Sequence, residues 1–397
     1  MTLADRVERL EHSPTLRIAA MAKRMSNEGL DVLDFSVGQP DFPTPSTAKE
    51  AGKNAIDANR TGYTANEGIL ELRAAIAAKL RVENCLEYAP QDVIVSPGAK
   101  ATLYFLAMAL FQAGDEVVIP APYWVTYPEQ VRLADATPVF VEASESNGFR
   151  LTASELEAAV TPRTKAVILN YPGNPTGACY DRPELEAIAE VCLAHDLIVI
   201  ADEIYEKLLY DGRAFTSIAS LGPEIKERTV VVNGMSKSYS MTGWRLGYAA
   251  GPRDVIDAMG KIQSHSTSNA TSIAQWAGLE ALRSAAPDVE RMVGEFERRR
   301  DVMLDRLLAI PGVTCPRPAG AFYAFPNVSA YFGRSHPGGT VDSALDLAAY
   351  LLEEALVAVV PGEAFGAPAY VRLSYATSVE KIEEGTGRMK AALERLG

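Results

Sequence analysis

A lysine at the mouth of a buried strand can serve as an amine nucleophile, and Lys237 stands where that could happen. It lies in Asn233-Gly-Met-Ser-Lys-Ser-Tyr-Ser-Met-Thr-Gly-Trp-Arg245, just after the apolar run Thr229-Val-Val-Val232. Desolvation lowers an ammonium pKa, and the neutral amine can then form a Schiff base with an aldehyde. Taken alone, Lys237 reads more simply as a surface lysine after a strand. Other groups at strand ends change that reading. Asp202 closes five apolar residues, Leu197 to Ala201, and a carboxylate there is costly to bury without a cation or a donor. A protonated pyridine nitrogen is one such partner, and a helix N-cap is the plainer alternative. Tyr205, three residues on, could share a face with Asp202. Ser96-Pro-Gly-Ala-Lys100 follows the run Val93-Ile-Val95 and opens a helical pattern. It offers free backbone N–H groups and a helix dipole to an anion, or it is an ordinary strand-to-helix turn. Asn170-Tyr-Pro-Gly-Asn-Pro-Thr-Gly177 follows a fourth apolar run.

The elements that must position these groups are legible from about residue 90. Apolar runs begin at Val93, Glu116, Pro138, Ala166, Leu197, Thr229 and Leu246, with helical periods such as Ala101–Phe111 and Pro183–Ala194 between them. Nearly continuous apolar strands suit a sheet buried on both faces. Their alternation with helices predicts an α/β fold: a doubly wound, mostly parallel central sheet flanked by helices. After about residue 285 the pattern becomes a long charged helix (Asp288–Ala309), Gly320-Ala-Phe-Tyr-Ala-Phe325, a helix over Asp342–Ala355, and Val371-Arg-Leu-Ser-Tyr375. That predicts a small α+β domain. The boundaries expected are 46–285 for the large domain, with 1–45 and 286–397 forming the small one. Residues 1–45 hold too little core to stand alone and should pack on the small domain or on a neighbouring subunit. Phe332–Gly339 is expected to be a surface loop, and Arg298-Arg-Arg300 a solvated helix face.

Composition excludes several classes. The chain has 397 residues, 48% hydrophobic and 22% charged, so material for a large core is ample. Its net charge of −13, with no basic run to speak of, argues against nucleic acid. Cys85, Cys179, Cys192 and Cys315 have no metal spacing and should be reduced thiols, and four scattered histidines add no metal site. No 18-residue apolar run exists and the N-terminus lacks a signal-peptide core, so the expectation is a cytoplasmic protein without a membrane span. Nucleotide-binding glycine motifs are missing.

Asn174-Pro-Thr-Gly177, Asp202-Glu-Ile-Tyr205, Ser236-Lys237, Gly243-Trp-Arg-Leu-Gly247, Pro122-Tyr-Trp124 and Val371-Arg-Leu-Ser-Tyr375 stand in one order along nearly the whole chain. Together they resemble the fold-type I, pyridoxal-phosphate-dependent aminotransferases of class I, most closely the bacterial aspartate aminotransferase subgroup Iγ. The resemblance implies the cofactor pyridoxal 5'-phosphate, bound through Lys237 as an imine, with Lys237 then carrying the proton. It implies that Asp202 holds the pyridine nitrogen protonated. Tyr205 and Asn174 would bond the ring oxygen, and Trp124 would stack on the ring. The phosphate would sit on Ala99, Lys100, Ser236 and Arg245. Tyr63 would reach the phosphate of a neighbouring subunit, which makes the protein a homodimer with shared active sites. Arg372 would clamp the substrate α-carboxylate, helped by the backbone of Gly38.

The resemblance also addresses the substrate. Lys100 and Thr15 fall where the subgroup recognises a distal carboxylate, which implies aspartate and glutamate with their 2-oxo acids. Members that also act on prephenate often carry a lysine where this chain has Glu11, so prephenate stands as a doubtful further substrate. The same Lys237 and Asp202 would serve an aromatic or kynurenine-type transaminase or a C–S β-lyase. A regulator with a fused DNA-binding module is disfavoured, because only about 45 residues precede the motifs and the chain is acidic.

Overall fold

A computed structural model describes residues 3–10 and 14–397, without the side chains of residues 14–17 and 19. All seven apolar runs become strands of one sheet: β1 (Val93–Ser96), β2 (Glu116–Ala121), β3 (Thr137–Glu142), β4 (Thr164–Asn170), β5 (Ile198–Asp202), β6 (Thr229–Gly234) and β7 (Gly247–Ala250). Their order is β1-β7-β6-β5-β4-β2-β3. Neighbours are parallel from β3 to β6, while β7 runs antiparallel to both β6 and β1.

Alternation along each strand feeds two cores. Val117, Ile119, Ile168 and Ile200 pack with Phe105 and Leu106 of the helix Ala99–Leu110 on one face. Val118, Val167, Leu169 and Val199 pack with Leu185, Ile188 and Cys192 of the helix Arg182–Ala194 on the other. Burying each such aliphatic side chain is worth about 1.5–3 kcal/mol, so the sheet is a rigid base.

A further core gathers helices Ala286–Leu308, Ala344–Ala355 and Val379–Leu393 with an antiparallel sheet of β8 (Tyr323–Ala324), β9 (Val360–Pro361) and β10 (Val371–Ser374), in the order β9-β10-β8. Ile18, Ala22, Leu33 and Phe35 join this core, and Leu33–Asp34 pairs in parallel with Val357–Ala358. The N-terminal segment thus packs on the C-terminal part of its own chain.

Two expectations fail. Arg298 is exposed, but Arg299 and Arg300 are buried. Arg300 donates to both carboxylate oxygens of Asp211 at 2.7 and 2.9 Å, and Arg299 to both of Asp41 at 2.8 and 2.9 Å. The tertiary fold supplies acids that a charge count along one helix does not reveal. Phe332–Gly339 is no plain loop: Arg334–His336 and Gly339–Val341 form a short antiparallel hairpin.

The strand register brings the candidate residues together. Asn170 pairs with Asp202, and Asp202 with Val232, so β4 and β5 end level and β6 runs two residues past them. At β7 the sheet meets the start of the helix Ala99–Leu110 so closely that a Cβ on Gly247 would lie 2.2 Å from the amide nitrogen of Ala99. Gly247→Ala should therefore cost about 1–3 kcal/mol of stability by overpacking. The expected sign is a lower urea midpoint at an unchanged slope. An unaltered midpoint would show that the helix start gives way freely.

Candidate active site

Lys237 lies just beyond β6, half-buried, with its Nζ donating to the Gly38 carbonyl at 2.5 Å. The amine is 5.7 Å from the centre of the Phe322 ring and 5.9 Å from that of Tyr205. No carboxylate among the described residues forms an ion pair with it. Burial, then the cations Arg372 and Arg245, push its pKa down to about 7, against the opposing pull of Asp202.

Asp202 ends β5 and is followed by a turn rather than a helix, which removes the N-cap alternative. It is 3% exposed. Its Oδ2 accepts from the Tyr127 hydroxyl at 2.7 Å and its Oδ1 from the Ile204 amide at 3.3 Å. Burial raises its pKa to about 6, held back by those two donors and by Lys237. It forms no ion pair among the described residues.

An anion seat lies alongside. Gly98 precedes the helix Ala99–Leu110 at φ +88°, and no side chain caps that helix. The first-turn N–H groups therefore face outward, where a helix N-terminus favours negative charge. Arg245 leans over the same turn: a Cβ on Gly98 would come 2.5 Å from its Nη2. Ser236 is buried close by in sequence from Lys237. The Lys100 side chain is exposed, with its Nζ 4.9 Å from the centre of the Trp124 ring. Desolvation and Arg245 lower its pKa.

Arg372, on β10, is a cation 5% exposed and without an acid partner among the described residues. Its Nη1 donates to Asn174 Oδ1 at 3.0 Å and its Nη2 to the Ser36 carbonyl at 2.8 Å, while its buried Nε has no partner. The guanidinium carbon lies 4.5 Å from the centre of the Tyr323 ring and 5.2 Å from that of Phe365. Asn174 is fixed by its own amide, which donates to Asn170 Oδ1 at 2.9 Å.

The structure thus gathers Lys237, Asp202, Tyr205, Asn174, Arg372 and Gly38 in one cluster, with Ala99, Lys100, Trp124, Ser236 and Arg245 at the helix start beside it. Tyr63 is 94% exposed and makes no contribution to this cluster. Thr15 lies in the helix Pro14–Asn27, but its side chain is outside the described residues, as is Glu11 altogether. Sequence reasoning missed Tyr127, Ser36 and Tyr323. Nothing in local spacing marks a tyrosine as the donor to a carboxylate 75 positions away.

The low pKa gives a test. Acylation of Lys237 by a neutral amine reagent, followed by peptide mass, should reach half its limiting rate near pH 7. Asp202→Asn should move that midpoint lower, because the Asp202 charge favours the ammonium. A midpoint near 10.5 would class Lys237 with ordinary lysines.

Comparison with known proteins agrees with this geometry. Residues 30–389 match the family model "Aminotransferase class I and II". The chain is 50% identical to a protein of Geobacillus stearothermophilus named aspartate aminotransferase, over 99% of each chain. It is 48% identical to an aspartate/prephenate aminotransferase of Cereibacter sphaeroides, over 98% of each. The crystal structure of the aspartate aminotransferase from Rhizobium meliloti superposes with a TM-score of 0.97 at 43% identity, covering all of both chains. With a family match over most of its length and near-complete agreement in fold, the chain belongs to the class I and II aminotransferases, enzymes that work with pyridoxal 5'-phosphate.

Proposed function

We propose that this protein is an aspartate aminotransferase, moving the amino group between L-aspartate or L-glutamate and the 2-oxo acids oxaloacetate and 2-oxoglutarate. One observation carries the reading. Arg372, Arg245 and Lys100, cations without an ion pair among the described residues, all lie close enough to Lys237 to lower its pKa; with Arg245 at the anion seat, Arg372 and Lys100 are left. A dicarboxylic amino acid brings one anion for each.

The residues present fit the family's cofactor. Asp202 is a buried carboxylate lacking a cation, Lys237 is an amine lacking an acid, and the uncapped helix start with Arg245 suits a phosphate. When bound, the cofactor supplies an aldehyde for the amino nitrogen and a pyridinium ring that draws electrons from the α-carbon.

The chain's own groups do the rest. Lys237 Nζ, neutral at pH values above about 7, takes up the α-proton and returns it. Asp202, ionised above about pH 6, keeps the ring nitrogen protonated. The Tyr205 and Asn174 side chains would hold the ring oxygen, and Trp124 would pack on the ring. Backbone N–H groups at Ala99 and Lys100, with Ser236 and Arg245, would hold the phosphate. Arg372 orients the substrate by its α-carboxylate, with Gly38 beside it, which supplies near-attack geometry at Lys237. Lys100, together with Thr15, takes the distal carboxylate.

In this reading residues 46–285 are the large domain. Residues 1–45 and 286–397 are a small domain that closes over the substrate and excludes water. The shared N- and C-terminal core supports that division. Tyr63, a fully solvated aromatic, supports a homodimer in which it reaches the partner's phosphate seat. A cytoplasmic setting is consistent with four unpaired cysteines, and among the described residues no helix is long and apolar enough to cross a membrane. Prephenate is a second acceptor to assay, favoured by the name of the Cereibacter sphaeroides relative. Aromatic or kynurenine-type transamination and C–S β-elimination need the same Lys237 and Asp202 but give no task to Lys100.

Kinetics on Lys100→Ala separate these readings. Loss of one charge-assisted contact, about 1.5–3 kcal/mol, should lower kcat/KM for aspartate roughly 10- to 100-fold. The value for alanine should hardly change. Equal losses for both amino acids would remove Lys100 from substrate choice, and with it the preference for acidic substrates.

A further inference from the structure

Tyr323 has no task in the mechanism proposed, yet it touches three of its parts. It begins β8, is 1% exposed, and pairs in register with Ser374, two residues past Arg372. Its hydroxyl lies 2.9 Å from the hydroxyl of Tyr205. The Arg372 guanidinium sits 4.5 Å from its ring centre. Its hydroxyl also abuts Gly38, where an added Cβ would come within 3.0 Å. Gly38 is in turn the residue whose carbonyl accepts from Lys237.

We propose that Tyr323 is a positioning residue that donates its hydroxyl proton to Tyr205, leaving the Tyr205 proton aimed at the cofactor's ring oxygen, while its ring fixes the plane of Arg372. The inference rests on the pyridoxal-phosphate reading. Two phenols that share one hydrogen bond can arrange it in two ways. If Tyr205 donated to Tyr323, its proton would be spent and the ring oxygen would lose a donor. If Tyr323 donates, Tyr205 both accepts and donates, and each bond polarises the other. The charged groups facing the pair are Arg372 on β10, Lys237 and Asp202. A guanidinium stacked on the Tyr323 ring draws electrons from it and makes Tyr323 the better donor of the two.

The ring also supports Arg372 in a second way. Arg372 is held by two hydrogen bonds and lies over the Tyr323 and Phe365 rings. A planar fork kept in one plane is ready for a bidentate carboxylate.

The sign of the spectroscopic effect follows. A hydrogen bond donated to the ring oxygen competes with the proton on the Lys237 nitrogen for the same lone pairs. Strengthening that bond lowers the pH midpoint of the cofactor's visible absorption change, and weakening it raises the midpoint.

Two variants separate the two tasks. In the cofactor-loaded protein, Tyr323→Phe keeps the ring and loses the hydroxyl. It should raise the midpoint by roughly half a pH unit with KM changed less than about twofold, as expected for loss of one cooperative hydrogen bond. In a Tyr205→Phe background the same substitution should leave the midpoint where it is. Tyr323→Leu removes the plane under Arg372 and should raise KM for aspartate and alanine alike, roughly 3- to 10-fold. A Tyr323→Phe midpoint equal to wild type, or an equal shift with and without the Tyr205 hydroxyl, would overturn the inference. A wild-type protein without any pH-dependent band after addition of pyridoxal phosphate would instead remove the cofactor reading beneath it.

Discussion

Three ionisable groups are held at one end of this fold without an ion pair among the described residues: Lys237, Asp202 and Arg372. Desolvating a charge costs several kcal/mol unless an opposite charge or hydrogen bonds offset it. Here hydrogen bonds offset part of it. Tyr127 and the Ile204 amide serve Asp202, Gly38 serves Lys237, and Asn174 and Ser36 serve Arg372. The remainder is left as perturbed chemistry: an amine brought down to about 7 and a carboxyl brought up to about 6. A ligand carrying a protonated nitrogen and an anionic carboxylate answers what the chain leaves open. The site is destabilised for itself and complementary to what it binds.

Such an arrangement needs a base that does not relax. The parallel strands β4 and β5 end level and β6 runs two residues further, and their side chains are fixed in cores on both faces. Arg372 belongs to another sheet, and Ser36 and Gly38 to the segment that packs on that sheet. Arg372 thus stands on a core that also takes in Ile204, Tyr205, Leu208 and Tyr210, while the parallel strands rest on cores of their own.

Much of this was legible in the sequence, because it was written in local pattern. Seven apolar runs gave seven strands, and the polar groups at their ends fell at the carboxyl edge of the sheet. Lys237, Asp202, Asn174 and Arg372 were marked by residue type against an apolar background. What local pattern could not carry was pairing across long separations. Tyr127 meets Asp202, and Tyr323 meets Tyr205 across 118 positions. Arg299 and Arg300 follow the helical period of a solvated face but find Asp41 and Asp211 far off in the chain. The hairpin after Phe332 also escaped, because its residues are too few and too polar to show an alternation.

On the proposed function, Lys237 alone among the lysines is the amine built for the cofactor. Borohydride reduction of the pyridoxal-phosphate-loaded protein, followed by peptide mapping, tests it most directly. The expected result is one reduced cofactor per chain, on Lys237, with the label lost in Lys237→Ala. Label spread over several lysines, or fixed on another one while Lys237 stays free, would contradict the account.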